Sequence, residues 1–262
     1  MYPFKQSSTK NRPMGDHIDI NCDMGEGFPY DEEIMPFVSS ANIACGGHAG
    51  DAATIGKTIA LCIRHGVAPG AHPSFPDIEN FGRAVMGISH DDLARSISKQ
   101  IALFNEVAAA SGTSMHHIKL HGALYNLSAV DQELSEVILD VLDVFKAQVW
   151  LYGLSGSLFN RLAREKGFRV MDEVFADRTY QPDGSLTPRS MPGATISDER
   201  QVVRQVLSLI RDGSTMAWSG EAVSVRADTV CIHGDGPQAA AFATLMHQAL
   251  TERNIRIQPP IR

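Results

Sequence analysis

Six short polar clusters recur along this chain, and each stands at the end of an apolar run that predicts a β-strand. The clusters are residues 21–26 (NCDMGE), 45–48 (CGGH), 70–73 (GAHP), 119–122 (KLHG), 175–178 (FADR) and 233–235 (HGD). Carboxylates, imidazoles and amines transfer protons, bind anions or hold metal ions in enzymes. When such groups repeat at the carboxyl ends of parallel strands, they meet in one site at the top of a β/α barrel. The clusters therefore predict both an active site and its fold.

The first cluster ends a strand that carries polar side chains on one face. Asp19, Asn21 and Asp23 alternate with apolar residues, as a barrel mouth lined by a polar column would require. Glu26 follows in a turn flanked by glycines. Neighbouring carboxylates raise one another's pKa, so that one can donate a proton while another accepts it. The alternative is a capping turn in which Asp23 and Glu26 serve the next helix.

Four histidines stand at or just beyond strand ends, namely His48, His72, His121 and His233. Each is expected to point into the same mouth, where imidazoles can act as general acid and base near neutral pH or as metal ligands. Five other histidines are interpreted as structural: His17, His65, His90, His116 and His247.

Lys119 has the same strand parity as His121, so both side chains are expected to face the barrel interior. A buried lysine must be paired or have its pKa shifted. It can then neutralise a substrate carboxylate or hold an oxyanion. The structural alternative is a buried ion pair with Asp23 or Asp235.

Residues 177–196 form a long segment rich in proline and glycine, and loops of that length are usually functional or disordered. The Asp177-Arg178 pair and Arg189 in this loop resemble an anion-binding group, and Arg83 in an earlier loop is comparable. The alternative is that these charges are simply solvated.

Composition and charge exclude several classes of protein. A chain of 262 residues with 44% apolar residues can bury one large core, and its net charge of −7 argues against a nucleic-acid or anionic-membrane surface. No apolar run approaches the roughly 20 residues that span a bilayer. Residues 1–16 lack the apolar stretch of a signal peptide and are expected to form a poorly ordered tail before a single domain at 17–262. The four cysteines form no C-x-x-C pair and are expected to be reduced thiols of a cytoplasmic protein.

Strand-like and helix-like segments alternate along the chain. The predicted strands are 17–23, 41–45, 67–72, 117–121, 148–152, 169–175 and 228–233, and the predicted helices are 51–65, 91–110, 131–146, 157–166, 198–211 and 237–253. This alternation implies a parallel sheet with right-handed crossovers, and seven strands predict a TIM-like (β/α)7 barrel. An open doubly wound sheet is the alternative. Residues 214–226 are expected to form a short hairpin outside the barrel.

One segment imitates a phosphate-binding loop. Residues 50–58 (GDAATIGKT) have five residues between the glycines, where the P-loop has four, and they continue into the interior of a predicted helix. No G-x-G-x-x-G motif follows any predicted strand. The sequence therefore contains no standard cradle for ATP.

Six ordered stretches together resemble the LamB/YcsF family: 18–28 (IDINCDMGEGF), 41–51 (ANIACGGHAGD), 70–83 (GAHPSFPDIENFGR), 119–126 (KLHGALYN), 175–189 (FADRTYQPDGSLTPR) and 231–235 (CIHGD). The resemblance implies a seven-stranded β/α barrel similar to the glycoside hydrolase/deacetylase group. It also implies ATP-dependent opening of the lactam ring of 5-oxoproline (pyroglutamate) to glutamate, together with the B and C subunits of a 5-oxoprolinase complex. At three positions the family most often has a different residue, and these differences bear on how a substrate fits. The positions are Leu120, Ala84 and Gly47.

The residues and the resemblance together lead to a hypothetical set of roles. Asp23 with His72 or His121 would transfer protons, Lys119 and Arg178 would bind anionic groups, and His48 and His233 would lie near the reacting carbonyl. The expected catalytic residues are Asp23, His72, Lys119, His121 and His233. The expected substrate-binding residues are Asn21, Glu26, His48, Arg83, Asn126, Asp177, Arg178, Arg189 and Asp235.

Two other functions stay open. The first is a stand-alone metal-dependent hydrolase of amide or N-acyl groups, in which a divalent metal would be bound by some of Asp23, His48, His72, His121 and His233 and would activate water. The second is a non-catalytic subunit that binds a carboxylate ligand. The sequence also leaves open whether the chain forms a homo-oligomer.

Overall fold

The strands that end in the polar clusters lie side by side in one parallel sheet. The computed structural model describes residues 17–236 and 238–261. The strands are β1 (His17–Met24), β2 (Ser40–Ala44), β3 (Ala68–His72), β4 (His117–Lys119), β5 (Trp150–Leu154), β6 (Arg169–Phe175), β7 (Ser214–Met216), β8 (Ala222–Ser224), β9 (Thr229–Ile232) and β10 (Arg256–Ile257). The order is β1-β2-β3-β4-β5-β6-β9, and β9 pairs again with β1. The predicted (β/α)7 barrel is therefore confirmed, and the open sheet is wrong.

Helices surround this barrel. They are α1 (Asp31–Ile34), α2 (Ala52–His65), α3 (His90–Ala110), α4 (Gly122–Ser128), α5 (Gln132–Leu142), α6 (Leu158–Glu165), α7 (Glu199–Arg211) and α8 (Ala239–Thr251). Five of the long helices begin after a side chain that accepts the backbone N–H three residues further on, namely Asp51, Ser89, Asp131, Ser157 and Asp198. The P-loop-like segment lies at the start of α2, with Gly56 and Lys57 inside the helix, as predicted.

Several elements differ from the sequence prediction. Strand β4 ends at Lys119, two residues early, because the chain turns at Gly122 with φ +58°. An added Cβ there would collide with the carbonyl oxygen of Gly82, so close approach of two loops excludes a side chain. Helix α4 then follows immediately. The short elements α1 and β10 were also not predicted.

The two irregular segments pack against each other. Strands β7 and β8 form the predicted antiparallel hairpin. The backbone N–H of Trp218, in its turn, donates to the carbonyl of Tyr180 in the 177–196 loop. Within that loop Tyr180 pairs with Leu186, and Arg178 pairs with Thr195. The loop is therefore a folded unit that covers one side of the barrel mouth.

The barrel interior is polar where the sequence predicts a polar column. Asp19, Asn21 and Asp23 are buried inside, while Ile20 and Cys22 belong to the apolar core. Among the described residues, every helix is too short or too polar to span a bilayer. The predicted tail, residues 1–16, lies outside the described residues, as does Pro237, where the last helix was expected to begin.

Candidate active site

A cavity of about 480 Å³ opens at the carboxyl ends of the barrel strands. The predicted site residues that line it are Asp23, Glu26, His72, Arg83, Lys119, His121, Asn126, Arg178, Arg189, His233 and Asp235. Asn21, His48 and Asp177 stand behind this wall, in contact with residues that line it. Residues far apart in sequence therefore converge at one rim, as predicted.

Lys119 forms two ion pairs across the barrel. Its Nζ lies 2.8 Å from Asp23 Oδ1 and 2.9 Å from Glu173 Oε1, and all three side chains are almost completely buried. Burial alone would lower the pKa of Lys119, but Asp23, Cys231 and Glu173 raise it well above its usual value. These ion pairs therefore favour the charged form of Lys119. The Asp23 pairing is one of the two predicted structural alternatives, whereas the predicted pairing with Asp235 does not form.

Glu173 was not predicted as a site residue. It is fully buried on β6, and the hydroxyl of Tyr125, which lines the cavity, donates to its Oε2 at 2.7 Å. The sequence places Asp172 and Glu173 next to each other in one strand, so parity requires one of them to face inward. The structure shows that Glu173 is the inward residue, while Asp172 pairs with Arg164.

Asn42 was also missed, although it orients the carboxylate of Asp23. Its Nδ2 donates to Asp23 Oδ1 at 2.8 Å and to Asn21 Oδ1 at 2.7 Å. His117 Nε2 donates to Asn42 Oδ1 at 2.8 Å, which fixes the orientation of the Asn42 amide. An amide at an interior position of β2 is the sequence signal that could have identified it.

His72 links the charged residues to a second group. Its Nε2 lies 3.4 Å from Asp23 Oδ2, and its Nδ1–H donates to the carbonyl of Lys119 at 2.8 Å. Burial would raise the pKa of Asp23, but the adjacent His72 and Lys119 hold that pKa well below its usual value. Asp23 is therefore ionised and stands against an imidazole that is held in place.

Glu26, His48, His72 and His121 form a compact group that we call the imidazole cluster. The rings of His48 and His121 stack at 3.6 Å, and Glu26 Oε1 lies 3.0 Å from His48 Nε2 and 3.3 Å from His121 Nδ1. Burial raises the pKa of Glu26 well above its usual value, and burial lowers the pKa of His48 to about 3 and that of His121 well below normal. Much of the cluster is therefore neutral, in contrast to the adjoining Asp23.

Two nitrogen atoms of the imidazole cluster face each other. His121 Nδ1 lies 2.9 Å from His72 Nε2, while the other ring nitrogen of each residue donates to a backbone carbonyl, that of Phe81 or of Lys119. With both outer nitrogens protonated, two neutral rings would direct lone pairs at one another. A shared proton or a cation between them removes that repulsion.

The imidazole cluster also meets the requirements of a metal site. One donor atom from each of its four residues lies within 4.8 Å of the others. Carbonyl groups that fix the outer nitrogens of His72 and His121 are typical of imidazoles that ligate metal ions. Asp23, Cys231 and His233 form a second such group. The donor sets therefore fit a divalent ion, and metal binding stays a prediction.

The predicted anion binders have different environments. Arg178 is buried, and it donates to the carbonyls of Thr187 (2.6 Å) and Ala194 (3.2 Å), so that much of its guanidinium holds the loop together. Asp177 accepts from His233 Nδ1 at 2.9 Å. Arg189 and Asn126 are exposed at the cavity wall. Arg83 forms a 2.6 Å ion pair with Asp235. Their roles toward a substrate stay predictions.

Comparisons with known proteins find relatives along nearly the whole chain. The model of the LamB/YcsF family matches residues 18–262. The chain is 49% identical to the A subunit of 5-oxoprolinase from Geobacillus kaustophilus (strain HTA426), over 94% of this chain and 97% of that protein. It is 47% identical to the A subunit of 5-oxoprolinase from Bordetella parapertussis (strain 12822), over 94% of this chain and 99% of that protein.

Solved structures show the same architecture. The lactam utilization protein from Thermus thermophilus matches with a TM-score of 0.87 and 38% identity, over 92% of this chain and 99% of that one. A family 4 carbohydrate esterase from Streptomyces lividans shares the fold, with a TM-score of 0.51 at 11% identity, over 94% of this chain and 93% of that one.

Proposed function

This chain belongs to the LamB/YcsF family, and on that premise we propose that it acts as the A subunit of an ATP-dependent 5-oxoprolinase, which opens the lactam of 5-oxoproline to give L-glutamate. Relatives of that name match nearly the whole chain, and the lactam utilization protein has the same fold. The observation that carries the proposal is the contact between the ionised Asp23–Lys119 pair and the largely neutral imidazole cluster inside one cavity.

Ring opening requires a base and an acid on the same substrate. Water attacks the lactam carbonyl as it loses a proton, the carbon–nitrogen bond breaks, and the departing nitrogen gains a proton. We assign Asp23 and His72 to accept the proton of water, because Lys119 favours the ionised form of Asp23 and a carbonyl fixes the His72 ring. Glu26 and His121 can return a proton to the nitrogen. Separation of pKa values among neighbouring groups is typical of such pairs.

Hydrolysis of this lactam is uphill, so we propose that ATP phosphorylates the amide oxygen, with release of ADP, before water attacks. Cleavage of the carbon–nitrogen bond then leaves the phosphoryl group on the new carboxylate, and a second water molecule releases it as inorganic phosphate. The B and C partner subunits would handle the nucleotide. This division is consistent with the position of residues 50–58, which begin α2 instead of forming a phosphate-binding loop. The present chain would then supply the cavity in which the activated ring opens.

Reconstitution tests this proposal. The chain is mixed with its B and C partners, ATP and 5-oxoproline, and glutamate is measured. We expect Asp23→Ala and Lys119→Ala to lower glutamate production by about 10²-fold or more, in the range of lost acid–base groups. Lys146→Ala, which removes a half-exposed lysine paired with Asp143, serves as the control and should retain full turnover. Unchanged production in both cavity variants would refute the assignment.

A second candidate function is metal-dependent hydrolysis of an amide without ATP, and the facing nitrogens of His72 and His121 favour it. His48 Nδ1, a buried ring nitrogen with no hydrogen-bond partner among the described residues, adds to this support. Glu26, His48, His72 and His121 would hold the ion, which would supply a polarised water.

Metal analysis separates the two candidates. One divalent ion per chain, lost in His72→Ala and His121→Ala but kept in the exposed-residue control His65→Ala, together with turnover that needs no ATP, would favour this second function. A metal-free protein that is fully active with partners and ATP would exclude it.

A further inference from the structure

Four cations line the cavity, but they are not equally free to bind an anion. Lys119 lies between two buried carboxylates, and Arg178 donates to two loop carbonyls. Withdrawing either group would leave buried polar atoms without partners, which is strongly unfavourable. Arg83 and Arg189 are therefore the cavity cations that a substrate carboxylate can bind at the least cost to existing contacts.

The position of Arg83 suits the binding of a substrate carboxylate. Its guanidinium lies over the ring of Phe81 at 4.9 Å, and this ring packs edge-on against His48 (5.2 Å) and His121 (5.5 Å). The charged group is thus fixed beside the imidazole cluster. Both Arg83 and Asp235 also influence the pKa of Glu26, which is consistent with this proximity.

The partner of Arg83 comes from across the mouth. Arg83 follows β3 and Asp235 follows β9, two strands that are separated in the barrel by β1 and β2. Their 2.6 Å ion pair therefore bridges the rim near the end of β1, where Asp23 and Glu26 stand. The side chains are 40% and 23% exposed, and ion pairs of this kind contribute little to stability and exchange readily.

We propose that Asp235 is a placeholder for the carboxylate of the substrate: the incoming anion displaces Asp235 from Arg83 and takes over its ion pair. Arg83 then anchors the ligand beside the imidazole cluster, and Asp235 sets the affinity by competition. This inference rests on the proposed function, because it assigns the displaced contact to the carboxylate of 5-oxoproline. It replaces the expectation that Asp235 itself binds substrate. The two roles predict opposite effects of Asp235→Asn on the affinity for 5-oxoproline.

Equilibrium binding to the full chain distinguishes these roles. 5-Oxoproline and 2-pyrrolidinone, the same lactam without a carboxylate, are titrated into the wild type and each variant by calorimetry. We expect Asp235→Asn to tighten 5-oxoproline binding by about twofold to fivefold, the equivalent of one exposed ion pair. Arg83→Gln should weaken it by about tenfold or more, as expected for loss of a charged hydrogen bond. Neither substitution should change the affinity for 2-pyrrolidinone.

Glu32→Gln is the matched control. Glu32 pairs with Arg64 at 3.0 Å on the protein surface, and its substitution removes the same unit of negative charge as Asp235→Asn. We expect this variant to bind 5-oxoproline like the wild type, which separates local competition from a general effect of net charge. Thermal unfolding of each variant confirms that it is folded.

Several results would overturn the inference. Weaker or unchanged binding of 5-oxoproline by Asp235→Asn would overturn it. Asp235→Asn would also overturn it by binding 2-pyrrolidinone more tightly to the same degree, since that result would indicate a widened mouth. If turnover with the partners is intact in either case, the proposed function stands and only the placeholder role fails. If wild type and variants neither bind 5-oxoproline nor turn it over with partners, the proposed function fails and the inference fails with it.

Discussion

Asp19 and Asp23 lie on the same strand and the same interior face, four residues apart, yet their surroundings are opposite. Among the described residues, Asp19 accepts hydrogen bonds from the hydroxyl groups of Ser39 (2.6 Å), Ser40 (2.8 Å) and Thr229 (2.7 Å). Burial raises its pKa above the usual value. Asp23, by contrast, stands between Lys119 and His72, and its pKa is well below the usual value.

The difference extends to the groups around each carboxylate. The lower network, formed by Asp19, Ser39, Ser40, Thr229 and Tyr152, connects hydroxyls to a carboxylate by short hydrogen bonds. The imidazole cluster near Asp23 contains a buried nitrogen without a partner among the described residues and two nitrogens that face each other. Polar groups that satisfy one another stabilise the barrel, whereas groups left incomplete are available to a ligand.

The largest expected effect separates the two carboxylates by their influence on turnover. Asp23→Asn keeps the shape of the side chain but removes the base, so we expect glutamate production by the reconstituted complex to fall by about 10²- to 10⁴-fold. Asp19→Asn should leave turnover within a few fold.

Unfolding in urea provides the complementary measurement. Asp19→Asn should lower the free energy of unfolding by about 1–3 kcal/mol, because its new N–H group meets Thr229 Oγ1, which already accepts from Asn21. If Asp19→Asn abolished turnover while the protein kept its full stability, the division between the two regions would be wrong.

The next expected effect concerns Lys119, a cation of a kind that the lower network does not contain. Lys119→Met leaves the carboxylates of Asp23 and Glu173 buried without their common partner, and we expect it to lower the free energy of unfolding by about 3–5 kcal/mol. Adding Glu173→Gln removes one of these charges and should restore more than about 1 kcal/mol.

A double-mutant cycle by urea unfolding measures this coupling. Lys166→Met combined with Asp140→Asn, an ion pair on the protein surface, is the control, for which we expect a coupling of less than about 1 kcal/mol. Purely additive effects of Lys119→Met and Glu173→Gln would show that the buried ion pair does not hold the charges together.

Much of this site was predictable, because strand parity and strand ends are local properties of a sequence. The positions of Asp23, His72, Lys119 and His121 follow from alternation within a strand and from the rule that parallel strands share one carboxyl edge. Closure of the barrel was likewise indicated by the number of strands. These inferences require no knowledge of which strands face one another.

The contact of Glu173, one of the two missed residues, runs across the barrel, whereas the missed Asn42 lies beside Asp23 on the neighbouring strand β2. Lys119 on β4 reaches Asp23 on β1 and Glu173 on β6, and neither of these strands is a neighbour of β4. Such pairings depend on the diameter and shear of the closed sheet, which alternation does not reveal. The same holds for Arg178, whose guanidinium turns back to loop carbonyls that only the folded 177–196 segment brings together.

The smallest expected effect is the sharpest test of the comparison, because the two carboxylates should respond to pH with opposite signs. Asp19 has a raised pKa in the folded chain, so its contribution to stability is fully present below the unfolded pKa of about 4 and is lost as the pH rises through the folded pKa. Asp23 has a lowered pKa, so its contribution is present above about 4 and is lost as the pH falls through the folded pKa. The difference in free energy of unfolding between wild type and Asp19→Asn should therefore shrink as the pH rises above about 4. The difference between wild type and Asp23→Asn should shrink as the pH falls below about 4. Each difference should change by at most about 1.4 kcal/mol per pH unit. Urea unfolding at closely spaced pH values measures both slopes, and slopes of equal sign would mean that the cations around Asp23 do not outweigh its burial.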